Sequence, residues 1–96
     1  MPTFALHCLD RPGCADLRAA TRPEHLAYVR ANPGEYRFGA YLLDADGAMC
    51  GSLMAVDCAD LEAARRFSAN DPYTRAGLFA RIDIHAWPVG VDAVAP

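Results

Sequence analysis

The pattern of apolar and polar positions along the chain predicts four strands and two helices. Short, mostly apolar runs predict strands over residues 3–9, 36–43, 48–56 and 78–87. Apolar residues three and four apart predict one helix over residues 21–31. They predict a second helix between the acidic and small residues 57–60 and Pro72, because the residue before a proline avoids the helical conformation.

Local signals define where these elements begin and end. Residues 21–24, Thr-Arg-Pro-Glu, have the form of a capping box, which places the start of the first helix at Thr21 and Pro23 in its first turn. Asp44-Ala-Asp-Gly47 favours a hairpin turn, and residues 72–77 favour one short turn. The buried stripe of the second helix is expected to contain Leu61, Ala64 and Phe67 or Ser68.

The resulting order, strand-helix-strand-strand-helix-strand, predicts an α+β, ferredoxin-like sandwich. In that arrangement two helices cover one face of a four-stranded antiparallel sheet. The chain has 96 residues, which is the size of one domain, so residues 1–96 are expected to form a single domain with a tail after Pro88.

The last strand predicts that the other sheet face is also used. Ile82 and Ile84 are expected to lie under the helices. The opposite face would mix aromatic and charged side chains, a composition that suits a partner subunit or a ligand cavity. Its expected members on this strand are Phe79, Arg81, Asp83, His85 and Trp87.

Composition excludes several classes of function. All nine basic residues are arginine, so lysine-dependent chemistry such as a Schiff base is excluded. The net charge of −3 argues against nonspecific nucleic-acid binding. The N-terminus lacks the pattern of a signal peptide and no run reaches the length of a membrane span, so we expect a cytoplasmic protein with no membrane partner.

The four cysteines fit no metal-binding pattern. Their spacing matches neither a Cys-x-x-Cys motif nor a zinc site, and free buried thiols are the expected state. They are Cys8, Cys14, Cys50 and Cys58.

His25 and Asp71 are the candidates for acid–base chemistry. His25 falls in the first turn of the predicted helix, where the helix dipole would favour a neutral imidazole, the form that a base needs. The alternative is a partly exposed histidine without a role. Asp71 either caps the short turn begun by Pro72 or orients His25, and both functions are compatible.

Arginines and a strand serine are candidates for ligand binding. Arg22 lies three residues before His25 on the same helix face and would suit a small anion. Arg11, Arg18 and Arg75 are expected in loops or at helix ends, where ordinary surface positions are the alternative. Ser52 follows a strand glycine, a sign of close backbone approach, and could donate a hydrogen bond to a ligand.

Several motifs together resemble the YciI-like, or YCII-related, family. The resemblance runs from the first strand to Trp87, and the separation of its first motif from Asp-Pro-Tyr is its most specific feature. One departure is Gly39-Ala40, where many members have Gly-Pro, so we expect a pocket wall of different shape in this chain. The motifs are Arg22-Pro-Glu-His25-Leu-Ala-Tyr28, Phe38-Gly39, Gly47, Gly51-Ser52, Asp71-Pro72-Tyr73, Ala76-Gly77-Leu78 and Ile84-His-Ala-Trp-Pro88.

The resemblance implies a ferredoxin-like domain that pairs through its open sheet face into a dimeric α+β barrel. It also implies an active site built on His25 and Asp71, with Arg22, Ser52 and Tyr73 around the substrate. The activity implied is cofactor-independent lyase or isomerase chemistry on a small cyclic or phenolic, sometimes anionic, compound. The alternatives are a ligand-binding or regulatory dimer without catalysis, or a purely structural role for both residues.

Overall fold

The computed structural model describes residues 1–88 and 90, and its elements follow the predicted order with one short helix added. Most of the predicted tail after Pro88 lies outside the described residues. The elements are β1 (Thr3–Asp10), α1 (Ala15–Ala31), β2 (Tyr36–Leu43), β3 (Met49–Asp57), α2 (Leu61–Asn70), α3 (Pro72–Arg75) and β4 (Phe79–Ala86).

The four strands form one antiparallel sheet in the order β2-β3-β1-β4. The helices cover one of its faces, which confirms the predicted α+β, ferredoxin-like fold. The hairpin between β2 and β3 turns at Asp44–Gly47, as predicted. There Gly47 adopts φ 81°, a left-handed conformation that glycine tolerates without steric cost.

The apolar core lies between the two central strands and α2. Every second residue of β1 and β3 points to this side, and residues that pair across the two strands share it. The fully or nearly enclosed members are Phe4, Leu6, Cys8, Met54, Val56, Cys58, Ala64 and Phe67.

Helix α1 begins six residues earlier than predicted. It starts at Ala15, directly after a turn in which Gly13 has φ 75°, and the Cys14 carbonyl accepts from the Arg18 amide. The prediction that Thr21 caps the helix is therefore wrong. Pro23 is tolerated inside the helix because this part of the helix is exposed. Proline has no amide hydrogen, so the carbonyl of exposed Ala19, four residues earlier, can bond water instead.

Helix α2 agrees with the prediction except at its first residue. Asp60 caps the helix by accepting from the Ala63 amide at 2.8 Å. Ala64, Phe67 and Ser68 are buried, whereas Leu61 is 37% exposed. Leu61 is the first residue of α2, and the neighbouring residues 59, 60 and 62 are exposed as well.

Strand β4 departs from strict alternation at one position. A register shift between Leu9 and Asp10 inserts one extra residue into β4, so that Phe79 pairs with Asp10. Phe79 therefore lies on the helix side, packed against the core and edge-to-face with Tyr73, and its predicted place on the open face is wrong. Ile82 and Ile84 pack against the core as predicted.

The open sheet face carries aromatic side chains from both edges of the sheet. Phe38 of β2 is 58% exposed and Trp87, just after β4, is 37% exposed. Their rings meet edge-to-face with centroids 6.2 Å apart. The strands between them present the small pair Ala5 and Ala55, which leaves room for the two rings to approach.

The cysteines are all free in the structure. Cys8 and Cys58 are buried, as expected, whereas Cys14 and Cys50 are partly exposed. Among the residues that the structure describes, no helix is both long and apolar enough to cross a membrane.

Candidate active site

A cavity of about 370 Å³ opens between α1, α3 and the β2–β3 end of the sheet. Its volume is at the small end of the range of ligand sites, about 300–1,000 Å³, which suits a small molecule. Its lining combines arginine, histidine and tyrosine with leucine and methionine. The lining residues are Arg18, Arg22, His25, Leu26, Tyr36, Gly39, Ala40, Tyr41, Met49, Ser52, Met54 and Tyr73.

His25 and Asp71 form a buried pair although 45 residues separate them in the chain. His25 Nδ1 lies 2.9 Å from Asp71 Oδ1 and 3.0 Å from Oδ2. Asp71 is fully buried and lies behind the imidazole, outside the cavity lining. The Tyr73 ring stacks on the imidazole, with centroids 4.3 Å apart.

This geometry defines the tautomer of the imidazole. A carboxylate only accepts hydrogen bonds, so Nδ1 carries a hydrogen and donates a hydrogen bond to Asp71. In the neutral form of the ring the lone pair is then on Nε2. Within residues 1–88 Nε2 has no hydrogen-bond partner, and His25 lines the cavity.

Asp71 serves both functions that its sequence context allows. Its Oδ1 accepts from the Tyr73 amide at 2.9 Å, which caps α3, and the same carboxylate accepts from His25. The cap fixes the carboxylate and thereby the imidazole. In contrast, the argument from the helix dipole is wrong, because His25 lies ten residues after Ala15 in the middle of α1.

Arg18 is the principal site residue that the sequence analysis did not place beside His25, since an ordinary surface position was the alternative for it. It lies in the first turn of α1 but is only 4% exposed, and it donates to both carboxylate oxygens of Asp10 at 2.7 and 2.9 Å. Its Nη2 also donates to Ser52 Oγ at 2.9 Å. Its guanidinium lies over the Tyr73 ring, 4.8 Å from the centroid.

A helical spacing in the sequence could have revealed Arg18. The buried residues of α1 are separated by three, four and four positions, which places them on one face of a helix. Three of the four are polar, so the stripe does not look hydrophobic. They are Arg18, Thr21, His25 and Val29.

The three residues predicted to surround the substrate, Arg22, Ser52 and Tyr73, border the same cavity, whereas Arg11 and Arg75 do not. Ser52 projects from β3, Tyr73 from α3, and Arg22 lies exposed at the rim of the cavity. Gly39 permits this arrangement, because any side chain there would collide with the Tyr36 hydroxyl and press on Met54. Tyr36 thus lies flat over β2 as part of the wall.

Burial and charge set the protonation of the groups around the site. Burial would lower the pKa of Arg18, but the hydrogen bonds and charge of Asp10 raise it above its ordinary value, so the guanidinium stays charged. Burial raises the pKa of Tyr73 and of Tyr36. Burial, helped by the charge of Asp71, raises the pKa of Cys8 to about 12, so this thiol is no nucleophile at neutral pH.

A second depression of about 700 Å³ lies on the other side of α1 and is more open. It is lined by carboxylates as well as arginines, including Glu35, Asp57, Arg66 and Arg75, and no histidine borders it. Among the described residues no group of three or more histidine, cysteine or acidic side chains is arranged to hold a metal ion. The histidine–aspartate cavity is therefore the candidate active site.

The fold and the site together define a class: small α+β domains with a buried histidine–aspartate pair facing a cavity. Residues 3–88 match the sequence profile of the YCII-related domain, so the chain belongs to that family. Among curated proteins, none matches the chain significantly.

Solved structures extend the comparison. The chain is similar to 5-chloro-2-hydroxyhydroquinone dehydrochlorinase (TftG) from Burkholderia phenoliruptrix, solved in complex with 2,5-dihydroxybenzoquinone. The identity is 31%, the match covers 92% of this chain and 95% of that chain, and the TM-score is 0.84. It also resembles SnoaB, a cofactor-independent oxygenase from Streptomyces nogalater, at 14% identity, 97% and 96% coverage and a TM-score of 0.58, a likeness of fold.

Proposed function

We propose that this protein is a cofactor-independent enzyme that moves a proton on a small cyclic or phenolic substrate, as a lyase or an isomerase. The observation that carries the proposal is the imidazole of His25, bound through Nδ1 to buried Asp71 and bordering the cavity with its other nitrogen unpartnered among the described residues. Such chemistry needs a base that borders the ligand cavity and a carboxylate that orients this base.

In the proposed mechanism His25 Nε2 removes a proton from a hydroxyl or carbon of the substrate. In an elimination, the electron pair left behind forms a new double bond and expels a leaving group as an anion from a neighbouring atom. In an isomerisation, the imidazolium returns the proton to a different atom. Asp71 stabilises the imidazolium in both cases, and proton transfer of this kind contributes about 10²–10⁴-fold in rate.

Arg22, Ser52 and Tyr73 have supporting roles in this proposal. Ser52 and the rim residue Arg22 orient the substrate, and Tyr73 holds the imidazole plane by stacking. The similar dehydrochlorinase supports a phenolic substrate, because its name describes a chlorinated hydroxyhydroquinone and elimination of chloride.

The test is a turnover assay on chlorinated hydroxyhydroquinones, simple phenols and lactones. His25→Gln removes the proposed base at nearly constant volume, and we expect kcat to fall about 10²–10⁴-fold. Glu24→Gln, a change to the same residue type at an exposed position of the same helix outside the cavity lining, is the matched control. Equal turnover by wild type and His25→Gln would remove His25 from the mechanism. Ligand binding without any turnover would instead favour a ligand-binding or regulatory protein.

We also propose that a second copy of the chain covers the open sheet face. The exposed rings of Phe38 and Trp87 form an apolar centre, and the flanking Arg81 and Asp83 form an ion pair at 2.7 Å. A two-fold axis through this face would place each aromatic pair against its copy.

Light scattering at micromolar concentration tests the assembly. We expect twice the chain mass of 10.4 kDa for the wild type and one chain mass for Phe38→Asp. Leu61→Asp, an exposed leucine on the helix layer, should stay dimeric. A monomeric wild type would contradict this proposal and leave the active-site proposal untouched.

A further inference from the structure

Arg18 has hydrogen-bonding capacity that the protein does not use. Its Nε and Nη2 are taken by Asp10 and Ser52. Within residues 1–88 its Nη1 has no partner, and it is not enclosed either, since Thr74 Oγ1 is the one fully buried, unpartnered side-chain atom of the described residues. Arg18 lines the cavity, and Nη1 is the guanidinium nitrogen whose two N–H groups remain available to a ligand there.

The charges around the cavity all favour an anion. No carboxylate belongs to its lining among the described residues, whereas two arginines do. Asp10 and Asp71 both lie outside the lining, behind Arg18 and His25. Although the whole chain carries a net charge of −3, this cavity therefore presents cations and hydrogen-bond donors.

The anion-binding groups are fixed in place before a ligand arrives. The bidentate ion pair with Asp10 fixes the orientation of the guanidinium plane, so the Arg18 side chain loses little conformational freedom when Nη1 binds a ligand. Ser52 Oγ accepts from Arg18, which leaves its own hydrogen free to donate. Arg18 and His25 both contact the Tyr73 ring, 4.8 and 4.3 Å from its centroid, and both line the same cavity.

We propose that Arg18, held by Asp10 and assisted by Ser52, is an oxyanion-recognition site that binds the ionised oxygen of a phenolate or enolate and discriminates against the neutral form. This inference rests on the proposed function, which places the reacting part of the substrate beside His25. It differs from the role given to Arg22, which is exposed at the rim and whose charge is screened by water.

The probe is 4-nitrophenol, whose phenolate is detected by its yellow absorbance, with 4-nitroanisole as a neutral molecule of similar shape. We expect the wild type to bind the phenolate about 10- to 100-fold more tightly than 4-nitroanisole, and to lower the apparent pKa of bound 4-nitrophenol by about one unit or more.

The first variant is the double substitution Asp10→Leu with Arg18→Met, which removes both buried charges together and so leaves neither unpaired. It should lose phenolate affinity about 10- to 100-fold and keep its 4-nitroanisole affinity within about twofold. Arg30→Met, the same change at an exposed arginine of the same helix, should bind both probes as the wild type does.

The second variant, Ser52→Ala, leaves the Arg18–Asp10 pair intact and so guards against failure of the double variant to fold. It removes the hydroxyl that assists the guanidinium, so phenolate affinity should fall several-fold while 4-nitroanisole affinity stays within about twofold. A merely structural role for Ser52 predicts an equal change for both probes instead.

Three results would overturn the proposal: a wild type that binds phenolate no better than 4-nitroanisole, a double variant that keeps the preference, or a Ser52→Ala variant that changes both affinities equally. His25→Gln separates the two proposals. It should retain the phenolate preference even if the assay of turnover shows that His25 has no catalytic role.

Discussion

The two long helices cover the same sheet face but bury opposite kinds of side chain. Helix α2 buries Ala64 and Phe67 against Leu6 and Val56, an apolar contact of the ordinary kind. The buried stripe of α1 is mostly polar, and its charges are neutralised by partners on other elements. One half of the interior thus stabilises the fold by excluding water. The other half holds a prearranged set of charges beside a cavity.

This difference shows how a chain of 96 residues can hold a site without losing its core. Buried polar groups are costly unless they are bonded, and here Arg18, His25 and Asp71 each have partners at 2.7–3.0 Å. The polar half therefore costs little stability while it is complete. The two halves should respond differently to substitution.

The largest loss of stability is expected from Phe67→Ala in the apolar half. Phe67 is 3% exposed and packs against the Tyr28 ring at 5.0 Å, so its removal leaves a cavity. We expect the free energy of unfolding to fall by about 3–5 kcal/mol. Urea denaturation measures it, and the remaining folded protein should keep its 4-nitrophenolate affinity. A loss of affinity in fully folded protein would mean that the two halves are not separable.

A smaller loss is expected from Asp10→Ala in the polar half. The substitution leaves the Arg18 charge buried without its carboxylate, which should cost about 3 kcal/mol, at the low end for buried pairs because Arg18 borders the cavity. Adding Arg18→Met to this variant should recover most of the loss. Urea denaturation of both variants gives the comparison. If the double variant were less stable than Asp10→Ala alone, the ion pair would not be the reason for the loss.

The smallest effect is expected from mildly alkaline pH, between pH 8 and pH 10, where only the first part of the contribution of two buried groups, Cys8 and Tyr28, is lost. Burial raises the pKa of Cys8 and of Tyr28 to about 12. Their neutral forms stabilise the fold fully below the ordinary pKa values of about 9–10. That contribution is lost as pH rises toward about 12, by at most about 1.4 kcal/mol per pH unit for each group.

The measurement is the free energy of unfolding in urea between pH 8 and pH 10. Cys8→Ala lacks one of the two groups, so its decline with pH should be shallower than that of the wild type, whatever its stability at neutral pH. Equal slopes for both proteins would show that the thiol does not contribute to the alkaline loss.

The prediction of the elements succeeded where interactions within a few residues decide the structure. The hairpin at Asp44–Gly47 and the end of α2 before Pro72 depend on turn and proline geometry, which act within a few residues. The start of α1 was predicted too late because Thr21 and Pro23 have the residue types of a helix start. The true first turn, from Ala15, has a high helix propensity but no side-chain cap that marks it in the sequence. The side of the sheet on which Phe79 lies was missed because a β-bulge depends on pairing with a distant strand.

The candidate site was predictable only in part for the same reason. His25, Asp71, Arg22, Ser52 and Tyr73 were singled out by their motifs, and the structure brings all of them to one region. Arg18 was not placed in the site, because the sequence does not show whether a carboxylate lies beside an arginine in the fold. Asp10 is the strand residue that supplies it, 8 positions away.

The sequence by itself determined the order of the elements, the alternation of the strands and the motifs around His25 and Asp71, because propensities and turn chemistry act locally. Only the tertiary structure decided that one helix face buries charges, that Asp71 reaches His25 and that Asp10 anchors Arg18. Those outcomes depend on which distant groups meet in a space without water, where a charge is stable only beside its partner.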